Sequence, residues 1–244
     1  MERDRWQKWL PYLSWRCPAC QSGTLIAIPG SHHEVMSRME RLDRDDPSAD
    51  PNQRLMRFTV HLQCDSRRCH ETATAMGNHF THRMPDGTED GYLDEGFEVC
   101  SIVPAPLPFP LPEQVPKLIA DIVREASALF WLDYQAAANR AREAIEAILT
   151  DAGVPTDGPK GHALRLHDRI KLFAKHDGGK WSEQAEIIEA AKWIGNAGTH
   201  ATIQRDDALD AFEMLETVIE DMYVRRRHAV LAKVRATNQK HRGP

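Results

Sequence analysis

Apolar and polar positions follow two different rhythms along this chain. In the first part, Phe58, Val60, Leu62 and Cys64 alternate with Thr59, His61 and Gln63, the two-residue period of a strand with one covered face. Thr24 to Ile28 is a second β-like run, and Thr72 to Thr81 and Phe97 to Val103 are weaker ones. Met84 to Gly91 (MPDGTEDG) has turn chemistry, and the polar, proline-broken Asp43 to Gln53 reads as a mobile loop.

In the second part the period becomes helical. Val115, Leu118, Ile119, Ile122, Val123, Ala126 and Leu129 recur at three- and four-residue spacings, which predicts a first long helix. Further helices are predicted over Ala136–Thr150, His162–Lys175, Ser182–Ile194 and Asp207–Arg227, the last with Asp206 and Asp207 as cap candidates. Short connections between them describe an antiparallel bundle.

The change of rhythm coincides with a change of composition. All five cysteines precede residue 104, and six of the fifteen prolines crowd into Pro104–Pro116. Proline at every second position fixes φ and removes amide donors, so this piece is an extended strap that cannot join a central strand. Leu107, Phe109 and Leu111 would hold it to a surface. The fold class that follows is α+β, with a small N-terminal β module over 1–103, a strap over 104–116, a helical bundle over 117–230 and a basic tail over 231–244.

Composition adds limits. Of 244 residues, 41% are hydrophobic and 27% charged, which excludes a disordered chain or a coiled-coil rod. No run of apolar residues is long enough to span a membrane, and the charged, Trp-rich start is unlike a secretory signal, so a cytoplasmic protein is expected. Net charge is −5, but residues 222–244 carry seven Lys or Arg and no acid, leaving −12 on the first 221. Such a basic tail offers phosphate contact, or simply a solvated helix end that suits the helix dipole.

The cysteines are the first chemical signal. Cys17-Pro-Ala-Cys20 and Cys64-Asp-Ser-Arg-Arg-Cys69 form two short-loop pairs. Zinc takes four such donors in a tetrahedron, and a filled four-cysteine site is structural because no position stays open. Metal binding also supplies folding free energy to a module with a poor core. A mixed site using His70, His61 or His32 for one cysteine, or no metal at all, stays open here. A thioredoxin-like redox pair lacks its strand-to-helix context, and a disulfide is disfavoured in a cytoplasmic chain. Cys100 reads as a small buried side chain. Trp6, Trp9 and Trp15 read as a cover for the module.

The second signal is Ile194-Gly195-Asn196-Ala197-Gly198-Thr199-His200, where two glycines, an asparagine and a histidine interrupt a good helical pattern. The order of features is two cysteine pairs, a proline strap, a helix with Arg140-Ala-Arg142-Glu143-Ala-Ile-Glu146, then Gly-Asn-x-x-x-His. From about Trp15 to Arg227 this order resembles the bacterial family catalogued as domain of unknown function 4145 with a zinc-ribbon-like module in front. That family is similar to the HEPN superfamily of helical bundles, many of them metal-independent ribonucleases or RNA-binding modules of toxin–antitoxin, restriction and antiphage systems.

The resemblance implies a site with His200 exchanging protons, Asn196 beside it, and an arginine neutralising the phosphorane, often built across a homodimer. Here Gly195 stands where the arginine belongs. Lys192, Arg140 and Arg142 are the cations that would have to substitute, and Arg142 with Glu146 is otherwise an ordinary i,i+4 ion pair. The expectation is therefore an accessory binding protein of a bacterial defence or restriction-type system, a homodimer holding structural Zn2+ and contacting RNA, DNA or a partner protein. The second reading is a metal-independent endoribonuclease using His200.

Overall fold

The computed structural model describes residues 1–244 except 2, 9, 45, 47, 49, 51–52, 85–91, 160, 197–201, 225–232, 235–236, 239 and 241–244. The chain forms two compact units: Glu2–Pro108 with Ser127–Leu132, and Phe109–Ala126 with Asp133–Pro244 and Met1. The class is α+β, with the antiparallel sheet first and the helices after it.

The first unit is built on three long strands, β4 (Gln53–Cys64), β5 (Thr72–Met84) and β6 (Tyr92–Val103), with three short ones, β1 (Ser14–Arg16), β2 (Thr24–Ala27) and β3 (His33–Met36). The order is β1-β2-β4-β5-β6, with β3 also on β4, and every pairing is antiparallel. One edge of β4 is thus divided between two partners. Leu25 of β2 faces Cys64, while Glu34 of β3 faces Phe58. The predicted alternation is the observed one: Phe58, Val60, Leu62 and Cys64 are buried and Thr59, His61 and Gln63 exposed.

Curling of the sheet has a visible cause. Register shifts between Met76 and Gly77, where a Cβ on residue 77 would stand 1.9 Å from the Glu98 carbonyl oxygen. Only glycine fits, and a bulge of this kind increases local twist. The sheet is larger than a zinc ribbon alone, because β4 and β5 continue well past the end that carries the cysteines.

An aromatic cluster closes the unit. Trp6 stacks on Trp131 at 5.0 Å between ring centres, and Phe130 and Trp15 meet these rings edge-on. Trp15 is almost wholly buried, and its indole N–H donates to the Arg5 carbonyl at 2.8 Å, so the polar end of the ring is satisfied. Trp6 and Trp15 therefore take the covering role expected of them, while Trp9 lies outside the described residues. Leu107, Phe109 and Leu111 of the strap are all buried.

The helical unit contains most of α2 (Lys117–Phe130), then α3 (Tyr134–Asp151), α4 (Leu166–Lys175), α5 (Ser182–Asn196) and α6 (Arg205–Ile219), the last running into a π-helical turn at Glu220–Val224. A short α1 (Arg38–Arg44) lies in the β unit. α3 begins where the Asp133 carboxylate accepts the Ala136 amide at 3.0 Å. Its buried stripe (Ala137, Ala138, Ala141, Ala144, Ile145, Ile148 and Leu149) packs on α5 and α6. α6 starts at Arg205, and Asp207 serves it from inside, its carboxylate accepting the Gln204 amide at 2.8 Å. Among the described residues no helix is long and apolar enough to cross a membrane.

Three expectations need correction. The helix predicted from His162 begins only at Leu166, because an Asp157–Ala163 bridge and a left-handed Gly161 hold the preceding residues in a turn. The Asp43–Gln53 segment is bounded by α1 and β4 and carries the end of the first and the start of the second. Cys100 is half-buried on β6, its Sγ 3.9 Å from the Glu98 carbonyl oxygen, where full burial was expected. The predicted turn over Met84–Gly91 falls almost entirely outside the described residues.

Candidate metal centre

The four cysteines of the two short pairs meet at one end of the sheet. Cys17 follows β1, Cys64 ends β4, and pairing of both strands with β2 brings their loops side by side. Each loop closes by its own backbone: the Gln21 amide donates to the Cys17 carbonyl at 3.0 Å, and the Cys69 amide to the Ser66 carbonyl at 3.0 Å. Both loops then leave through a left-handed residue, Gln21 at φ 56° and His70 at φ 53°. The strand ends are tied together by the Cys17 amide donating to Gly23 O at 2.9 Å and the Thr24 amide donating to Asp65 Oδ1 at 2.8 Å.

The sulfur atoms of Cys17, Cys20, Cys64 and Cys69 all lie within 4.8 Å of one another. Cys17 and Cys69 are 3.7 Å apart across the cluster, as are Cys20 and Cys64. All four are free thiols. A disulfide would require about 2.0 Å between sulfurs. A tetrahedron of sulfurs about 2.3 Å from a central ion has edges of roughly 3.8 Å. The observed spacing matches the tetrahedron, so the chain holds a four-cysteine cluster at metal-binding distance.

The thiols of the cluster sit in unlike surroundings. Burial pushes the Cys17 thiol up and drives Cys64 to about 12, whereas the Ser22 hydroxyl, then the Gly23 and Ser22 amides, bring Cys20 down to about 6. Four adjacent thiolates repel one another, and a divalent ion is what lets all of them ionise. The Gly23 amide also donates to Cys20 Sγ at 3.3 Å, the kind of N–H to sulfur bond that orients a ligand. A Cβ on residue 23 would lie 2.5 Å from Cys64 Sγ. Glycine is what leaves the sulfurs their room.

Of the histidines weighed as substitutes for a cysteine, none is in the four-sulfur group. His61 sits on the exposed face of β4, its Nδ1 3.0 Å from Thr74 Oγ1. His32 belongs to a different cluster with Glu34 and His79.

The second sequence signal is reached only in part. Gly195 and Asn196 end α5, while His200 lies outside the described residues. The three cations offered in place of the motif arginine are all engaged. Arg140 pairs with Glu125 and Glu143, and the Glu125 side chain is the first of the contacts raising its pKa. Arg142 pairs with Glu146 one turn on, at 3.4 Å. Lys192 is 4% exposed and bonded to Glu189, with His167 Nδ1 3.3 Å from its Nζ. Burial pushes the Glu189 carboxyl up, but Lys192 and His167 outweigh it and hold the group below the usual carboxylate range.

Sequence reasoning missed one buried cation altogether. Arg169 of α4 is 5% exposed and donates to the Glu146, Val154 and Pro155 carbonyls and to Thr150 Oγ1. It satisfies carbonyls at the end of α3, where the helix dipole also favours a cation. A lone arginine in an amphipathic helix carries no sequence mark of that role.

The fold and the cluster thus define a two-unit α+β protein, with a four-cysteine knuckle on a curled sheet followed by a helical unit. Residues 124–240 match the family model described as Domain of unknown function (DUF4145), and the helical part of the chain carries that domain. No curated protein and no solved structure matches the chain.

Proposed function

We propose that this protein is a non-catalytic binding module in which the four cysteines hold one structural zinc ion and the HEPN-like helical unit, as a homodimer, contacts nucleic acid for a bacterial defence or restriction-type system. The observation that carries the reading is the engagement of every substitute for the motif arginine. Arg140, Arg142 and Lys192 each face a carboxylate. A cation already neutralised by a carboxylate offers little to a developing phosphorane, and loss of that stabilisation costs orders of magnitude in rate.

Zinc is favoured over other ions by the donor set, since four thiolates at tetrahedral spacing suit a closed zinc site. Phosphate contact is supported by Arg67 and Arg68, which stand exposed on the second knuckle loop, and by the basic C-terminal sequence. Defence context and dimerisation rest on the resemblance drawn from motif order.

Incubation of the purified protein with single-stranded RNA and duplex DNA at rising salt tests the reading. Binding that weakens with salt and weakens further in Arg67→Ala/Arg68→Ala protein, with no strand cleavage, is the expected result. Robust RNA cleavage that disappears in stably folded His200→Ala protein would overturn it in favour of an endoribonuclease.

A further inference from the structure

His32, Glu34 and His79 present three ligand atoms within 4.8 Å of one another on the same unit as the cysteines. Strand register explains the convergence. Glu34 of β3 faces Phe58 of β4, Phe58 faces Gly77 of β5, and His79 is two residues beyond Gly77. Side chains two apart share a sheet face, so Glu34, Phe58 and His79 lie on one face of the sheet, and His32, just before β3, packs against Phe58 there. This is the face that also carries Cys64, but six residues along β4, or about 20 Å away at the rise of a strand.

Atom by atom, the arrangement is that of a ligand set. Glu34 Oε1 lies between the two rings, 3.3 Å from His32 Nε2 and in contact with His79 Nδ1. Donors bound to a tetrahedral ion at about 2.0–2.1 Å stand roughly 3.3 Å apart. His32 and Glu34 already have that spacing, and all three ligand atoms lie within 4.8 Å of one another.

The remaining nitrogen of His79 supplies an independent observation. The side chain is 7% exposed, and its Nε2 makes no hydrogen bond among the described residues, yet Glu95 Oε2 lies 3.5 Å from it. A histidine with one ring nitrogen aimed at a ligand position and the other at a carboxylate is the usual orientation of a metal-bound imidazole. The rings are also fixed in place. His79 stacks on Phe97 at 4.3 Å, and His32 packs edge-on against Phe58 and Phe97.

We infer that His32 Nε2, Glu34 Oε1 and His79 Nδ1 form a second metal site, which takes a divalent ion of the zinc class. Two imidazoles and one carboxylate leave a fourth coordination position to solvent, unlike the closed four-cysteine site. Glu95 is the positioning residue: its Oε2, 3.5 Å from His79 Nε2, closes on Nε2–H when the ion binds and fixes the tautomer that frees Nδ1 for the metal.

Titration of the full-length, metal-stripped protein with Co2+ tests the assignment by absorption. Two equivalents per chain are expected. One produces thiolate-to-cobalt charge transfer, and the other adds only ligand-field bands. His32→Ala, which changes an exposed side chain and leaves the sheet intact, should lose the second equivalent and keep the first, and His79→Ala should do the same. Glu95→Gln should keep two equivalents and weaken the second by 10–100-fold. A single equivalent in the wild type, or a second one that persists in folded His32→Ala protein, overturns the inference.

Discussion

Gln21 and His70 hold the same left-handed backbone, φ 56° and 53°, each one residue after the second cysteine of its pair. The two loops differ in length and sequence, yet both must reverse at this point to aim two sulfurs at one centre. A residue with a Cβ in that conformation costs about 1–2 kcal/mol relative to glycine. Gln21 and His70 already bear the cost of a Cβ there, so Gln21→Gly and His70→Gly should not destabilise the β unit in chemical denaturation, whereas Gln21→Val and His70→Val, whose β-branching adds to the clash, should destabilise it.

Gly23 gives a sharper test of the same geometry. Gly23→Ala brings a methyl group against Cys64 Sγ, which belongs to the cluster itself. Competition with a chromophoric chelator should show zinc affinity reduced at least tenfold. Gly30→Ala, whose added methyl meets nothing within 4 Å, should leave zinc affinity unchanged even though its φ of 75° makes the substitution strained.

Arg169 should be among the most costly side chains to remove from the helical unit. Its guanidinium makes four bonds at the end of α3 and is almost fully buried. Arg169→Ala removes four buried bonds, though Thr150 Oγ1 still donates to the Glu146 carbonyl, and should cost about 2–4 kcal/mol by urea unfolding. Arg169→Lys should recover only part, since an ammonium cannot span the same set of acceptors.

The Glu189–Lys192 pair gives the helical unit an acid-sensitive term. Glu189→Gln leaves Lys192 buried beside a neutral amide and should cost roughly 1–3 kcal/mol near neutral pH. The folded carboxyl lies below its ordinary value of 4.5, so its contribution is fully present above that value. It fades as pH falls through the lower folded value. The stability gap between wild type and Glu189→Gln should therefore close as pH falls below 4.5.

How much of this was legible follows from burial. The alternation of Phe58 to Cys64 and the helical spacing after the strap each mark one covered face, and both became elements at the expected places. β3 was not visible because Val35, its most apolar residue, is 64% exposed, so an edge strand carries no alternating pattern. α1 was hidden for a similar reason. Its buried residue is Glu40, whose carboxylate accepts the Leu55 amide at 3.0 Å. The four cysteines were readable as a candidate cluster because each pair closes a short loop and the strands between them can bring the two loops together. His32 and His79 are 47 positions apart, and only the register of three strands brings them together. Arg142 was readable with its partner Glu146 one turn on, whereas Glu125, the partner of Arg140, comes from another helix of the folded chain.

X-ray absorption at the zinc edge, on protein purified without added metal, tests the central claim most directly. The four-cysteine centre predicts a sulfur shell about 2.3 Å from zinc, present in the wild type, present in His32→Ala, and lost or depleted in Cys64→Ser together with cooperative melting of the β unit. Protein that is fully folded with no zinc–sulfur shell, or a shell unchanged in Cys64→Ser, would contradict it.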